Sequence, residues 1–531
     1  MPSFDELLVD IGDFGPYQKK ICLLCCIPGV LFAFVYVGVV FIGRTPGHWC
    51  RDPAAERALE ACGWSDEDLR EITVPQLAAG SFSSCQRFDL DWNSTEAGCR
   101  HHSGGLSTFN TTGLVTCHSG WHFDQSLSTI VSQFELVCEN AWKADLNQAF
   151  LNVGFLLGAV VIGYGADRYG RKRCFLISVF GLGVSGVGMI FSPSYPVLLA
   201  FRVIQGVFGK GAWMSSYVLV TEIVSAKRRR LVGIVAQIFF TIGVISLPGI
   251  AYFISSWKML QFTLTLPCFI LLVYYWLIPE SPRWLLSMNK KTEAMKTIKK
   301  IARKNLKTLP KEYIEMGILE PGLDSDLSNT PSPLDVFKTP QMRKITLILM
   351  YSWFTSSVVY QGLIMRTGII QGSLYLEFFL SGVVELPSAL LFYLTVDRFG
   401  RKVPFALSNI IGGLSCLAAT FTPDDIPWLR TAVAVTGRLG ITLGFEIVYL
   451  ISAELYPTSL RNLGVSISSA LSDVGGIAAP FLLFRLANLW TELPMLLYGV
   501  MCLIYGALVF LLPETKGTDL PETTEDIKAL R

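Results

Sequence analysis

Runs of about 20 mostly apolar residues, the length a helix needs to cross a bilayer, recur along this chain. They fall at 21–43, 147–166, 174–192, 197–220, 231–254, 259–278, 344–365, 374–396, 403–421, 427–450, 464–486 and 492–512, twelve in all. With 51% hydrophobic and only 16% charged residues over 531, such a chain buries its apolar surface in lipid. The expectation is an all-α membrane protein of twelve transmembrane helices.

The polar stretches order these spans. The chain divides into a cytoplasmic N-terminus (1–20), a six-helix bundle (21–278) interrupted by an extracellular loop (44–146), and a cytoplasmic linker with helices (279–343). A second six-helix bundle (344–512) and a cytoplasmic C-terminus (513–531) follow. The opening "MPSFDELLVDIGDFGPYQKK" is polar, and no small-residue cleavage site follows the first apolar run, so that run is read as the first span. "DRYGRKR", "KRRR" and "DRFGRK" put basic residues in short loops on one side, which marks the cytoplasm and places both termini there. A multi-pass plasma-membrane protein is implied. The 44–146 segment then faces outward. It carries the glycosylation sequons at Asn93 and Asn110 and six cysteines, Cys50, Cys62, Cys85, Cys99, Cys117 and Cys138. Three disulfides are expected, with all fifteen pairings open. In the linker, "TEAMKTIKKIARKN" has helical spacing and a basic face, and is read as an amphipathic helix on the inner leaflet, with a regulatory surface or lid as the alternative.

The two halves echo each other. Asp167, Arg168 and Arg171 of "DRYGRK" return as Asp397, Arg398 and Arg401 of "DRFGRK". Arg202 returns as Arg438, Glu222 as Glu454 and Glu280 as Glu514, all at offsets between 230 and 236. A duplicated six-plus-six bundle can rock about a midplane site. The charged landmarks Asp167, Arg168, Arg171, Asp397, Arg398, Arg401, Glu222, Glu454 and Arg438 are candidate gating residues. They would cap helix ends and pair across the cytoplasmic seam.

Charged residues inside spans cost roughly 2.5–3.5 kcal/mol at a helix centre, so each is a functional candidate. The acidic ones are Asp473, Glu385 and Glu446; the basic ones are Lys210, Arg202, Arg366, Arg438 and Arg485. Asp473 sits among small residues before Gly475 and Gly476 and reads either as a cation anchor or as half of an interhelical ion pair. Glu446 reads as a second negative wall or a structural hydrogen bond. Glu385, just before Pro387, reads as a cavity group or as a partner of Lys210 or an arginine. Ring faces that could hold an ammonium are Tyr36, Trp213, Tyr217, Phe240, Trp353 and Tyr360. Asn152 and Gln237 are polar candidates, and Gln361 a weaker one.

The duplicated D-R-x-G-R-[KR] turn resembles the major facilitator superfamily. "MPSFDELL", "STIVSQFELVC", "PESPRWL", "ELYPTSLRN" and "PETKG" resemble the organic ion transporter family (solute carrier 22). "FGKGAWM", "LPGIAYFI", "YSWFTSSVVYQGL", "SGVVELP" and "LSDVGGIAAPFLLFRL" are similar to its organic cation transporter branch. The resemblance implies spans 1, 4 and 7 lining a central cavity, Asp473 as a cation anchor, and the named aromatics as substrate contacts. It implies polyspecific, electrogenic facilitated diffusion of small organic cations (monoamines, quaternary ammonium compounds, cationic drugs) by alternating access. Zwitterion or anion transport within the same family, and a non-transporting surface binding protein, are the alternatives. No phosphate-binding loop, nucleophile constellation or metal-spaced ligand set is evident, so neither an enzyme nor a cofactor is expected. A net charge of +2 gives no reason to expect nucleic acid.

Overall fold

The structure, a computed structural model, describes residues 4–62, 65–76, 82–90, 111–124, 126–309, 336–366, 373–422, 427–457 and 460–516. Eleven helices among them are long and apolar enough to cross a membrane. They are Pro16–Ile42 (span 1), Cys138–Tyr169 (span 2), Arg171–Ile190 (span 3), Tyr195–Ile223 (span 4), Lys227–Phe253 (span 5) and Trp257–Leu277 (span 6). Pro340–Arg366 (span 7), Leu374–Val396 (span 8), Lys402–Phe421 (span 9), Thr431–Leu455 (span 10) and Leu463–Leu489 (span 11) follow. The shorter apolar helix Leu493–Val509 is span 12. Several helices outrun their apolar runs. Span 7 has 27 residues, about 40 Å at 1.5 Å per residue, which reaches through the headgroup layers as well as the hydrocarbon.

The same packing recurs in each half. Span 3 lies on span 4 as span 9 lies on span 10, and span 1 lies on span 5 as span 7 lies on span 11. Spans 2 and 4 touch backbone to backbone: a Cβ on Gly154 would stand 2.3 Å from the Val203 carbonyl, and one on Gly206 2.3 Å from that of Leu151. Span 8 breaks at Val384, where the helix ending at Val383 gives way to one starting at Glu385.

The repeated basic turn has a common physical cause. Gly170 (φ +106°) and Gly400 (φ +86°) let the chain reverse between two helices in a conformation other residues resist. Each opens the next helix to a carboxylate from a distant segment. Glu280 accepts the amide N–H groups of Lys172 (3.0 Å) and Ser281 (3.1 Å). Glu514 accepts those of Arg401 (2.9 Å), Lys402 (3.1 Å), Thr515 (3.1 Å) and Lys516 (3.0 Å). The amides of Lys172, Arg401 and Lys402 are ones that a helix N-terminus leaves open, and each glutamate sets a negative charge at that positive end.

Residues Phe41–Ala144 with Ile254–Trp257 form a separate compact unit. Inside it, His48–Cys50 pairs antiparallel with Trp121–Phe123, and Gln86–Leu90 with Thr111–Thr116. Two disulfides, Cys50–Cys117 and Cys85–Cys138, select among the pairings left open by sequence. The Cys62 side chain, Cys99, Asn93 and Asn110 lie outside what is described.

The basic linker helix forms as Lys291–Lys304, but its apolar side is not left for lipid. Ala294, Ile298, Ile301 and Ala302 are buried in protein, with Ala294 against Trp284 and Leu285. Asn305, just beyond it, donates to the carbonyl of Ile11 (3.1 Å) and to Gln18 Oε1 (2.7 Å), tying the N-terminal segment to this helix.

Candidate functional site

Asp473 is buried on span 11, and its carboxylate is occupied. Lys210 Nζ, from span 4, donates to Oδ1 at 3.0 Å and Oδ2 at 3.3 Å. The pair joins the two halves, so in this conformation the cation on Asp473 is a lysine. Gly475 and Gly476 explain how span 11 comes so close. A Cβ on Gly475 would meet the Phe354 carbonyl at 2.7 Å, and one on Gly476 would meet Asn152 Oδ1 and Gln361 Nε2 at 2.6 Å. Asn152 uses its amide on the Gly476 carbonyl (3.0 Å) and the Gln148 carbonyl (3.0 Å). Gln361 donates to Tyr36 Oη (2.8 Å) and Asn152 Oδ1 (3.1 Å). Gln361 therefore sits at the crossing of spans 1, 2, 7 and 11 and is more central than its sequence context indicates.

Around this crossing is a continuous aromatic wall. Phe32 lies 5.5 Å from Trp213, 5.8 Å from Tyr36, 5.3 Å from Phe155 and 6.1 Å from Phe240, centroid to centroid. Tyr36 continues to Tyr360 at 6.4 Å, and Tyr360 stacks on Phe445 at 6.1 Å. Trp353 meets Phe445 at 5.8 Å and Tyr449 at 4.3 Å. Tyr36, Trp213, Phe240, Trp353 and Tyr360 are thus brought together as expected from their positions. Tyr217 is not part of the ring contacts; it is 38% exposed on span 4. Gln237 is half-buried and makes no side-chain hydrogen bond to another described residue. Phe32, Phe155, Phe445 and Tyr449 were missed. The spacing of four between Phe32 and Tyr36, and between Phe445 and Tyr449 around Glu446, was the available signal.

The other two carboxylates differ from each other. Glu385 is fully buried and closed off: Arg438 donates to it, Tyr360 Oη donates at 2.8 Å and Thr241 Oγ1 at 3.4 Å. Arg438 also lies over the Tyr360 ring at 5.1 Å. Expected among the gating residues, Arg438 sits instead in this interior network. Among the described residues Glu446 accepts only the Ser388 hydroxyl, at 3.3 Å on Oε1. Its Oε2 is buried without a hydrogen-bond partner, and no Lys or Arg pairs with it among the described residues.

The pairs described for the charged turn residues lie inside each half. Arg171 joins Glu222 (3.1 Å) and Asp167 (2.9 Å), while Arg401 joins Glu454 (3.2 Å). Each arginine also reaches back to the end of the preceding helix, at the Ala166 or Val396 carbonyl, and that reach keeps it local. Arg168 contacts Tyr164 Oη at 3.4 Å, and the Arg398 carbonyl accepts Lys516 Nζ at 2.8 Å. The Asp397 side chain lies outside the described residues. A tie between halves that sequence did not assemble joins Asp145 of span 2 to Arg485 of span 11 at 2.8 Å. Span 7 is likewise tied to the start of span 12 by Arg366 and Glu492.

Residues 127–527 match the family described as "Sugar (and other) transporter". The whole chain aligns with 96% of mouse solute carrier family 22 member 3 at 53% identity, and with 96% of human solute carrier family 22 member 2 at 46%. Among solved structures, the inward-open xylose transporter XylE of E. coli superposes with a TM-score of 0.61 at 17% identity, over 97% of this chain and 99% of that one. The human organic anion transporter MFSD10 does so at 0.55 and 13%, over 93% and 100%. These two likenesses bear on the fold.

Proposed function

The chain belongs to solute carrier family 22, and from that premise we propose that it carries small organic cations across the membrane. The observation that carries the reading is Glu446, a carboxylate with a buried, unpartnered oxygen on span 10, whose chain neighbour Phe445 belongs to the aromatic wall. Such an oxygen is expensive unless something donates to it, and a protonated or quaternary amine held on ring faces at about 0.5–2 kcal/mol each supplies the missing charge. Few directional hydrogen bonds and many faces favour breadth over tight selection, so monoamines, quaternary ammonium compounds and cationic drugs are all in range.

Asp473 takes part by exchange. In this conformation Lys210 neutralises it; as the halves rock, the lysine withdraws and the cargo's charge replaces it. Membrane potential drives the net movement, at ~2.3 kcal/mol per charge per 100 mV, so no coupling ion is required. We place both termini in the cytoplasm and the disulfide-bonded unit outside, in the plasma membrane, on the strength of the basic loops and the sequons. The anion or zwitterion alternative needed free positive charge at Lys210, Arg366 and Arg438, and each has a carboxylate partner: Asp473, Glu492 and Glu385.

Voltage-clamped uptake of tetramethylammonium tests the reading. Wild type gives an inward current that grows with hyperpolarisation. Glu446→Gln, at equal surface expression, loses at least about tenfold in apparent affinity, the equivalent of ~1.4 kcal/mol. An undiminished current in that variant removes Glu446 from the site. Saturable binding with no current favours a surface binding protein.

A further inference from the structure

Arg202, on span 4, is 1% exposed and has no carboxylate partner among the described residues. Its Nε donates to Asn147 Oδ1 and its Nη1 to Gln205 Oε1, both at 2.7 Å. Its Nη2 is buried and has no acceptor. The amide nitrogens of Asn147 and Gln205 donate to no described residue either. A guanidinium does not release its proton in a protein, and a buried charge without a counter-ion is costly.

The duplication shows what is missing. Arg438, the counterpart of Arg202, is neutralised by Glu385. Shifting Glu385 back by the offsets of the repeat lands on residues 149–155, "AFLNVGF", which contain no acid. The N-terminal half carries the arginine with no acid in that window, and Asp145, just before it, is paired with Arg485. Spans 2 and 4 meet backbone to backbone at Gly154 and Gly206, the latter one turn along span 4 from Arg202.

We propose that the N-terminal half holds a small monovalent anion, a halide such as chloride, at Arg202 Nη2, with the Asn147 and Gln205 amides as further donors. One charge matches one guanidinium, and N–H donors without oxygen acceptors are what a halide accepts from. The anion is a resident counter-ion, apart from the cation path at Glu446 and Asp473.

The test is thermal unfolding of the purified full-length protein in chloride, bromide or gluconate at equal ionic strength. Wild type should melt about 2–4 °C higher in either halide than in gluconate. Asn147→Asp places a carboxylate where the Arg202 Nε now donates, so this variant should match halide-bound wild type in gluconate and gain nothing from halide. Arg202→Met should also lose the halide shift. If Arg202→Met does not fold, Asn147→Asp decides alone. A wild type indifferent to halide, or a halide shift intact in Asn147→Asp, overturns the proposal.

Discussion

Arg438 in the C-terminal half has a carboxylate on it; Arg202, its counterpart in the N-terminal half, has two neutral amides. Both are almost completely buried, and the two stand at corresponding positions of the repeat. The difference shows which parts of a duplicated design drift. The turn after spans 2 and 8 keeps its glycine, its arginine and its distant glutamate in both copies, because helix capping depends on backbone geometry that neither half can change. The interior charge balance depends only on the sum of local charges. One half closes it within the protein, and the other is free to close it with something else.

Removing the carboxylate breaks the comparison most severely. Glu385→Gln leaves Arg438 buried without its counter-charge and replaces the carboxylate that Tyr360 and Thr241 donate to with a neutral amide, which should cost about 3–5 kcal/mol. It is read as loss of folded protein by fluorescence-detected size exclusion and a lowered melting temperature. Arg438→Met in the same background should recover part of the loss, since it removes the stranded charge. Failure of that rescue shows that the network holds the fold through Tyr360 rather than through charge balance.

The turns supply the next effect. Gly170→Ala and Gly400→Ala each force an L side chain to positive φ, which costs about 1–2 kcal/mol. They also push a Cβ to within 2.5 Å of Glu280 Oε2 or 2.8 Å of Glu514 Oε2. In the N-terminal half Trp284 stands behind the glutamate, 3.1 Å from the same Cβ, so Glu280 has less room to yield. Gly170→Ala should be the more destabilising of the two in thermal melts. Equal losses indicate that backbone strain alone sets the cost.

Much of this was legible in the sequence for a physical reason. Apolar length fixed the spans, and paired landmarks such as Glu280 and Glu514 fixed the duplication, because both are local or periodic signals. Trp353 and Tyr360, seven residues apart, were legible as aromatics on one helix face. Who pairs with whom was not. Asp473 with Lys210 is a contact over 263 residues, Asp145 with Arg485 over 340, and a charge pattern along one helix says nothing about the face opposite. In this conformation the described partners of Arg171 and Arg401 lie within their own halves. Each has a glutamate on a neighbouring helix of the same half and a carbonyl at the preceding helix end.

The smallest effect distinguishes the two caps by pH. Burial raises the Glu280 carboxyl above the usual range, and its backbone donors only partly offset this. Glu514 experiences burial too, but the amides of Arg401, Lys402, Lys516 and Thr515 outweigh it and hold its carboxyl below the usual range. The signs therefore oppose. Glu280 contributes stability that is fully present below its unfolded pKa of roughly 4.3 and is lost as pH rises through its raised value. Glu514 contributes stability present above that unfolded pKa and lost as pH falls through its depressed one. Melting temperatures of wild type, Glu280→Gln and Glu514→Gln from pH 7 down to pH 4 read this out. On acidification the gap between wild type and Glu514→Gln should shrink, while wild type gains relative to Glu280→Gln. Parallel pH profiles for the two variants show that the halves cap their helices with electrostatically equivalent carboxylates, and that the divergence between them is confined to the buried arginines.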